Sequence, residues 1–365
     1  MSAIIIKSHI RDYDVTFIDY HDFSHLFVKY SQRIFVIDHN VWRLYANDLL
    51  RELTDEKVIV LPIHEEGKSL ETAQNLYDNL IQYAAKRNMT LISIGGGILQ
   101  DISGFVASTL YRGINWIFVP TTLLAQADSC IGSKTSLNYK NYKNLIGTFY
   151  PPSHVYIYPQ FVLTQSDPDF FSGLGEVVKL HMMGGDKKVI EILDLLPGII
   201  KRNAVALFTS VKNSLLIKND YIADDEFDTG KRNLLNFGHC FGHALESTSE
   251  FEIPHGQAVV LGMWLANIVA RNRGLLSEGQ NEFIAHNLLL PTIVINSEKD
   301  FLNTRKIIEA MKKDKKRTGK DLAVIMMKDN YEFIKVNDVK ESEVTEALSE
   351  FKKVFMGLPM RINKF

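Results

Sequence analysis

Segments of strand length alternate with segments of helical periodicity through the first third of the chain, and this alternation constrains the fold more than any other feature. Strand–helix–strand order returns each strand parallel to the one before it. The pattern therefore predicts an α/β unit with a largely parallel sheet, whose ligands bind beyond the carboxyl ends of the strands. The predicted strands are 4–6, 15–18, 33–38, 57–63, 90–94 and 115–120, and the predicted helices are 40–53, 69–87 and 98–111.

The pattern changes near residue 165, where Asp167-Pro168 has the form of a helix start. Most of the sequence beyond it is helical in periodicity, apart from a small hairpin predicted at 322–327 and 331–336. We therefore expect an α/β domain at 1–165 and an α-helical domain at 166–365. The predicted helices of the second domain begin at 167 and continue as 204–223, 230–249, 256–273, 278–287, 300–316 and 342–356.

Charge and cysteine content narrow the class of protein and its location. The 365 residues have a net charge of −2, which gives no electrostatic case for a nucleic acid or an anionic membrane as partner. Cys130 and Cys240 cannot form a disulfide framework, and they suit a reducing compartment. The apolar run at the amino terminus is too short for a signal peptide or a membrane span. We expect a cytoplasmic globular protein.

The stretch GKRNLLNFGHCFGHALESTSEFEIPH predicts one amphipathic helix followed by a loop that ends at His255. His239 and His243 are four residues apart and would share a helical face, which Arg232 and Asn236 extend backward. Two histidines at this spacing with a third downstream have the form of a divalent-metal site, since imidazole suits zinc and its neighbours. The alternative for any one of them is a core histidine with a hydrogen-bond partner.

Three predicted strand ends carry features of a nucleotide site. The glycines at 95–97 lie between a strand and a helix, where a phosphate can approach backbone N–H groups. Asp38 could bind a ribose hydroxyl, and Thr121 and Thr122 offer two more hydroxyls. Each feature has a structural alternative: a turn for the glycines and the threonines, and a helix N-cap for Asp38.

The segment DSCIGSKTSLNYKNYKN is predicted to be a loop that holds lysines against apolar neighbours, an arrangement that suits phosphate and carboxylate. A solvated surface is the alternative. Farther on, Glu176 and Lys179 lie three residues apart on one helix, where a simple ion pair is the alternative to a functional role.

Several blocks in this order and spacing resemble 3-dehydroquinate synthase, a family of the sugar phosphate cyclases. They are GGGILQDISGFVASTLYRG, VPTTLLAQADSCIGSKTSLN, KNLIGTFYPP, GEVVKL, KRNLLNFGHCFGHALE and HGQAV, and the resemblance spans roughly residues 35–320. It implies a nucleotide-binding α/β domain, an α-helical metal-binding domain and an active site in the cleft between them.

Position by position, the resemblance assigns a divalent metal (zinc or cobalt) to Glu176, His239 and His255, and so moves His243 from the metal to the substrate. Arg112 matches an arginine that reaches the site of a neighbouring subunit, which implies a homodimer. The positions that match NAD contacts are Asp38, Asn40, Glu65, Lys68, Gly95, Gly96, Gly97, Asp101, Thr121 and Thr122. The positions that match substrate contacts are Asp128, Lys134, Lys143, Asn144, Lys179, Lys218, Arg232, Asn236, His243, Lys315 and Lys316.

The implied reaction converts 3-deoxy-D-arabino-heptulosonate 7-phosphate to 3-dehydroquinate and phosphate. A hydroxyl is oxidised transiently, phosphate is eliminated, the ketone is reduced again, and an intramolecular aldol reaction closes the ring. The substrate carries a carboxylate and a phosphate, and several lysines and arginines are needed to neutralise them. NAD is regenerated in each turnover, so the protein's main task is to hold one flexible substrate in a reactive pose.

Some positions depart from the family pattern, and other functions stay open. The departures are His64, Gln100, Ser133 and Leu180-His181. A related cyclase acting on an aminated, inosose-forming or valiolone-forming substrate is the first alternative, although Arg232, Asn236 and His243 favour the dehydroquinate branch. A glycerol dehydrogenase-like oxidoreductase, which would release NADH, and a non-catalytic sugar phosphate-binding protein are the others.

Overall fold

A computed structural model of the protein describes residues 3–140, 142–295, 300–313 and 322–357, and for Ser24 and Met356 it describes the backbone alone. The chain forms two compact units. The first consists of Met1–Gln165 with Ile222–Phe227, and the second of Ser166–Tyr221 with Asp228–Phe365. Ile222, the last residue of a helix in the second half of the sequence, and the five residues after it therefore group with the first unit. In the part of the chain that is described, no helix is long and apolar enough to span a membrane.

The first unit is an α/β structure. Seven of its strands form one sheet in the order β1-β2-β9-β6-β5-β3-β4, in which β1 and β2 pair antiparallel and every other neighbouring pair is parallel. The strands are β1 Ala3–Ile6, β2 Tyr13–Phe17, β3 Arg33–Asp38, β4 Val58–Leu61, β5 Thr90–Gly95, β6 Asn115–Pro120, β7 Lys134–Tyr139, β8 Tyr142–Phe149 and β9 His154–Ile157, and the helices are α1 Tyr20–Leu26, α2 His39–Tyr45, α3 Leu70–Gln82 and α4 Gly97–Thr109.

The central strands are buried on both faces, which explains their unbroken apolar sequences. Every residue of β5 is buried, as is all of β6 except its first residue. The register pairs Gly95 with Pro120 and Ile37 with Ile94, so Asp38, Gly95 and Pro120 end their strands at one edge of the sheet. That edge is where the sequence predicts the nucleotide.

The second unit is mostly helical and is built around α9, which is buried from Gly256 to Ala270. Helices α5, α8 and α12 pack against it. Its elements are α5 Asp167–Met183, α6 Asp186–Ile200, α7 Ala204–Ile222, α8 His239–Thr248, α9 His255–Asn272, α10 Glu278–Ile284, α11 Thr304–Lys312, the antiparallel strands β10 Leu322–Met327 and β11 Phe333–Val339, and α12 Glu341–Gly357.

The prediction of one helix over 230–249 is wrong. Lys231–Asn236 forms a short 3-10 helix, Gly238 adopts a left-handed conformation at φ 79°, and α8 begins only at His239. A Cβ on Gly238 would lie 2.6 Å from the carbonyl oxygen of Val259, so the chain breaks where it approaches α9 most closely. Arg232 and Asn236 therefore do not share a helical face with the histidines.

The prediction of a loop across the lysine-rich segment is also wrong, because β7 and β8 form an antiparallel hairpin in which Lys134 pairs with Phe149. Several predicted helices are longer than the observed ones: α2 ends at Tyr45, α3 at Gln82 and α11 at Lys312. The elements α1, α6 and β9 were not predicted. Lys315 and Lys316 lie outside the described residues.

Candidate metal centre and nucleotide-binding edge

Three helices of the second unit, α5, α8 and α9, bring together Glu176, His239 and His255. Helices α5 and α9 touch through glycines: a Cβ on Gly256 would lie 1.8 Å from the carbonyl oxygen of Ser172, and one on Gly175 would lie 2.5 Å from that of Gly256. This contact places Glu176, the residue after Gly175, beside His255, the first residue of α9. His239 enters as the first residue of α8.

The distances between these side chains match those between ligands of one ion. Oε1 of Glu176 lies 3.8 Å from Nε2 of His239 and 3.5 Å from Nε2 of His255. Ligand atoms about 2.1 Å from a tetrahedral zinc ion lie about 3.4 Å apart. The three donor atoms are all within 4.8 Å of one another. The fold thus brings together the three residues that the family resemblance assigns to the metal.

Glu176 itself fits a metal ligand. Both of its carboxylate oxygens are buried and lack a well-formed hydrogen bond, although the ammonium of Lys179 forms an ion pair with Oε2. A buried carboxylate normally has its oxygens satisfied, so this one has coordination capacity to spare. Burial alone would raise its pKa, but Lys179 and His255 outweigh burial and hold the pKa of Glu176 below its usual range.

The two histidines present Nε2 toward Glu176 because Nδ1 of each is engaged elsewhere. Nδ1 of His239 lies 3.2 Å from the carbonyl oxygen of Phe237, and Nδ1 of His255 lies 3.2 Å from Oε2 of Glu246. Burial and the neighbouring cations Lys179, His255 and His243 lower the pKa of His239, which favours the neutral imidazole that binds metals. Burial acts in the same direction on His255, but the carboxylates of Glu246 and Glu176 raise its pKa to about 10.

A second cluster shares His255 with His243 and Glu246. The ring of His243 is exposed, and its centroid lies 5.4 Å from that of His239 and 5.9 Å from that of His255. His243 therefore borders the centre on its open side, as a residue that meets a ligand would.

The second unit also buries three cations that the family resemblance assigns to the substrate. Lys179, Lys218 and Arg232 are exposed by 2%, 7% and 3% respectively. Lys179 is paired with Glu176, and cations in so buried a setting are suited to bind an anionic substrate. Asn236 ends the same short helix as Arg232 and donates a hydrogen bond to the carbonyl oxygen of Asn233 at 2.8 Å.

At the sheet edge of the first unit, Asp38 caps α2. Its Oδ1 accepts a hydrogen bond of 2.7 Å from the backbone N–H of Asn40, so the helix N-cap alternative is what the structure shows. Burial raises the pKa of Asp38, and the N–H groups at the start of α2 oppose that rise. Gly96 caps α4 without a side chain, and a Cβ there would lie 3.0 Å from Thr122. Gly96, Gly97 and Ile98 are partly exposed, so backbone N–H groups at this helix start can meet an anion.

A polar network joins the other predicted nucleotide residues to the hairpin β7–β8. Lys68 forms an ion pair with Asp101 and donates a hydrogen bond of 2.6 Å to Oδ1 of Asn144. Asn138 donates to Oε1 of Glu65 at 2.9 Å, and its Oδ1 accepts from the N–H of Asn144 at 2.9 Å. The sequence interpretation missed Asn138, although its place in an alternating polar and apolar strand was a signal.

The remaining predicted residues of the first unit lie on turns or at the hairpin. Lys134 begins β7 and is exposed, Lys143 lies in β8, and Asp128 is half-buried in a π-helical turn at Ala125–Ser129. Thr121 is buried at the end of β6. Arg112 is exposed at φ 61°, on the turn after α4.

The positions that depart from the family pattern have structural partners. Gln100 exchanges two hydrogen bonds of 2.7 Å with Ser129, and so holds the turn that carries Asp128. Ser133 adopts a left-handed conformation at φ 64° and donates a hydrogen bond of 3.1 Å to Glu226. His64 accepts from the N–H of Gly67 at 3.0 Å. These contacts give the three side chains structural roles within the first unit.

Comparison with known proteins agrees with these observations. The family model described as 3-dehydroquinate synthase N-terminal matches residues 58–172, and the one described as 3-dehydroquinate synthase C-terminal matches 173–317. A 3-dehydroquinate synthase of Clostridium tetani is 35% identical over 328 residues, which are 89% of this chain and 85% of that protein. A 3-dehydroquinate synthase of Campylobacter curvus is 36% identical and aligns with 85% of this chain and 88% of its own length.

One similar solved structure is that of 2-epi-5-epi-valiolone synthase of Streptomyces hygroscopicus with NAD+ and Zn2+ bound. Its TM-score is 0.83 and its sequence identity is 27%, and the match covers 97% of this chain and 99% of that one. A 2-deoxy-scyllo-inosose synthase complexed with carbaglucose-6-phosphate, NAD+ and Co2+ has a TM-score of 0.80, covering 96% of this chain and 100% of that one. Its 22% identity makes it a likeness of fold alone.

Fold, site and matches together define the class as the sugar phosphate cyclases, metal-dependent enzymes with an α/β nucleotide-binding unit. Within that class the two family models cover most of the chain in the expected order, and the sequence relatives share more than a third of their aligned residues with it. The chain belongs to the 3-dehydroquinate synthase family.

Proposed function

We propose that this protein is a 3-dehydroquinate synthase, which converts 3-deoxy-D-arabino-heptulosonate 7-phosphate to 3-dehydroquinate and phosphate. The observation that carries the proposal is the cluster of Glu176, His239 and His255, in which both buried oxygens of Glu176 lack a well-formed hydrogen bond. Buried cations in the same unit supply the charge that a substrate with both a carboxylate and a phosphate requires.

NAD and a divalent metal are the cofactors of this activity. A cation held by the three ligands would polarise a substrate oxygen and leave coordination positions for it. NAD would bind at the carboxyl edge of the first unit's sheet, where the α4 amino terminus offers backbone N–H groups. The support comes from the donor set of the cluster and from the valiolone synthase relative, which has NAD+ and Zn2+ bound.

The substrate residues have roles that follow from their charge and burial. Arg232, Lys218 and Lys179 bind the anionic ends of the substrate and keep it folded near the metal centre. Arg232 can hold a carboxylate or a phosphate through two parallel hydrogen bonds. His243, on the open side of the centre, can move a proton to or from a substrate oxygen. Within the first unit, the family resemblance assigns Lys134, Lys143 and Asn144 of the hairpin to the substrate.

A related sugar phosphate cyclase is the second candidate, since a valiolone synthase is a close structural neighbour. The sequence relatives and both family models favour the dehydroquinate reaction. We further propose that the enzyme works in the cytoplasm as a homodimer, in which the exposed Arg112 reaches the site of the neighbouring subunit.

Phosphate release from two substrates tests the proposal. The enzyme, with NAD in catalytic amount and Zn2+ or Co2+, is incubated with the seven-carbon acid phosphate and, separately, with glucose 6-phosphate. We expect stoichiometric phosphate from the first, no net NADH, and no turnover by His255→Ala. Release from glucose 6-phosphate alone would identify a different cyclase, and NADH accumulation would identify a dehydrogenase.

A further inference from the structure

We propose that Glu246 is a positioning residue of the metal centre: it accepts a hydrogen bond from Nδ1 of His255 and thereby directs Nε2 of that ring toward Glu176 and His239. This inference rests on the proposed metal centre and assigns a role to a side chain outside the predicted ligands. The hydrogen bond measures 3.2 Å, and Glu246 is 4% exposed. A carboxylate so deeply buried requires a partner of this kind.

Helix α8 places Glu246 for this role. His239 and Glu246 are seven residues apart, two helical turns, and so lie on the same face of α8. One helix therefore supplies a metal ligand at its first turn and, two turns later, the carboxylate that holds another ligand. The backbone carbonyl of Glu246 also accepts a hydrogen bond of 2.8 Å from the N–H of Phe251, which fixes the connection leading to His255.

His255 needs such a partner because packing alone does not hold its ring. The side chain is 36% exposed, whereas that of His239 is 15% exposed. Both rings follow one rule: Nδ1 donates to an oxygen of the protein, the Phe237 carbonyl for His239 and the Glu246 carboxylate for His255. In each case this hydrogen bond keeps Nδ1 protonated and leaves Nε2, on the side of the ring that faces Glu176, as the nitrogen that would bind the metal.

Glu246 could instead be a ligand of an ion held with His243 and His255. The nitrogen of His255 that faces Glu246 is Nδ1, at a hydrogen-bond distance of 3.2 Å. The buried oxygens that lack a well-formed hydrogen bond belong to Glu176, on the Nε2 side of the ring. The ion therefore belongs with Glu176, and Glu246 acts through His255.

Metal affinity, measured without substrate, tests this role. Zn2+ binding is measured by competition with a chromophoric chelator, and the visible absorption of the Co2+ form reports the ligand geometry. Loss of an outer partner of a metal-binding histidine weakens affinity by about 10- to 100-fold, which we expect for Glu246→Ala. For Glu246→Gln we expect a smaller loss of several fold, because the amide oxygen still accepts the hydrogen bond without the charge.

Two control variants separate this role from other causes. Glu250→Gln removes the same charge from an exposed residue just beyond the end of α8 and should leave affinity within about twofold of wild type. His243→Asn should also retain the metal. A loss in His243→Asn as large as that in His255→Ala would place the ion in the other cluster and overturn the proposal.

The proposal is equally overturned if Glu246→Ala and Glu246→Gln both bind within twofold of wild type. If thermal unfolding shows that Glu246→Ala does not fold, the nearly isosteric Glu246→Gln alone decides. Normal metal affinity in His255→Ala would refute the metal centre itself. Loss of affinity in His255→Ala with normal affinity in the Glu246 variants would refute only the positioning role.

Discussion

At the scale of single residues, His181 is a buried imidazole whose protonation should affect the pH dependence of folding stability. It is 0% exposed on α5, its Nδ1 donates to the carbonyl oxygen of Val177 at 2.8 Å, and its Nε2 is buried without a hydrogen bond among the described residues. Burial lowers the pKa of His181 to about 4. The charged groups that act on its ring, Lys188 and Glu191, belong to α6. These surroundings are those of a core residue.

We expect His181 to make the protein less stable as the pH falls. In the unfolded chain the ring takes up a proton near pH 6.5, whereas in the folded chain it stays neutral down to about pH 4. The unfolded state therefore binds more protons between these values, and folding stability falls as pH is lowered through that window. From pH 7.5 to 5.0 the loss from this residue is about 2 kcal/mol.

Urea unfolding at the two pH values checks this expectation. His181→Gln should lose about 2 kcal/mol less than wild type between pH 7.5 and 5.0, whatever its stability at pH 7.5. His286→Gln, at an exposed histidine, should behave as wild type does. An unchanged pH dependence in His181→Gln would show that the ring is protonated in the folded protein.

Residue roles could be predicted from the sequence only in part. The histidine pattern alone predicts a metal site of His239, His243 and His255, and the family resemblance was needed to replace His243 by Glu176. Glu176 comes from a different helix, about 60 residues earlier, so no local spacing could reveal it. Glu246 was missed for a related reason, since its contact with His255 crosses the turn between α8 and α9.

At the scale of elements, the contact between α5 and α9 keeps Glu176 beside His255, and Gly256 permits it. We expect Gly256→Ala to destabilise the protein by about 3 kcal/mol or more, because the new Cβ would meet the carbonyl oxygen of Ser172 at 1.8 Å. The helices must separate, and Zn2+ affinity should fall together with stability. Chemical unfolding and chelator competition measure the two effects.

Gly279→Ala is the matched control, since nothing lies within 4 Å of a Cβ at that position of α10. Alanine is the better helix former by about 1 kcal/mol, so this variant should be as stable as wild type or slightly more so. If Gly256→Ala proved as stable as wild type, with its metal affinity kept, the close approach of α5 and α9 would be disproved.

Elements were predictable where local sequence decides them. The strands β3 and β6 have the predicted bounds because short apolar runs end at polar or turn residues. The break at Gly238 was not predictable, since it depends on the approach of α9, about twenty residues later in sequence. The hairpin β7–β8 was taken for a loop because no residue of its second strand is buried and the strand lacks a clear apolar alternation.

At the scale of the whole molecule, the order of strands and helices was enough to predict the α/β class and a largely parallel sheet. The antiparallel edge strand β1 and the return of residues 222–227 to the first unit were not, because both depend on contacts distant in sequence. Glu226 ties residues 222–227 to the first unit, because its carboxylate accepts hydrogen bonds from Ser8, His9 and Ser133.

The division into units predicts how a substrate residue and the nucleotide respond to mutation. Arg232 belongs to the second unit, whereas the sheet edge proposed for NAD belongs to the first. Arg232→Ala should raise the KM for the seven-carbon substrate about 100-fold, since it removes a charge-assisted interaction of about 3 kcal/mol. The Kd for NAD, measured by fluorescence titration without substrate, should change less than about threefold, because Arg232 is not among the residues proposed to contact NAD.

Lys231→Ala provides the control, because it removes the same charge from the adjacent residue, which is exposed. Its KM should stay within about twofold of wild type, as expected for an exposed charge. Arg232→Lys refines the test: a lysine keeps the charge but cannot form two parallel hydrogen bonds, so its KM should lie between those of wild type and Arg232→Ala. Equal losses of substrate and NAD affinity in Arg232→Ala would mean that the arginine supports the fold of the protein and not the substrate.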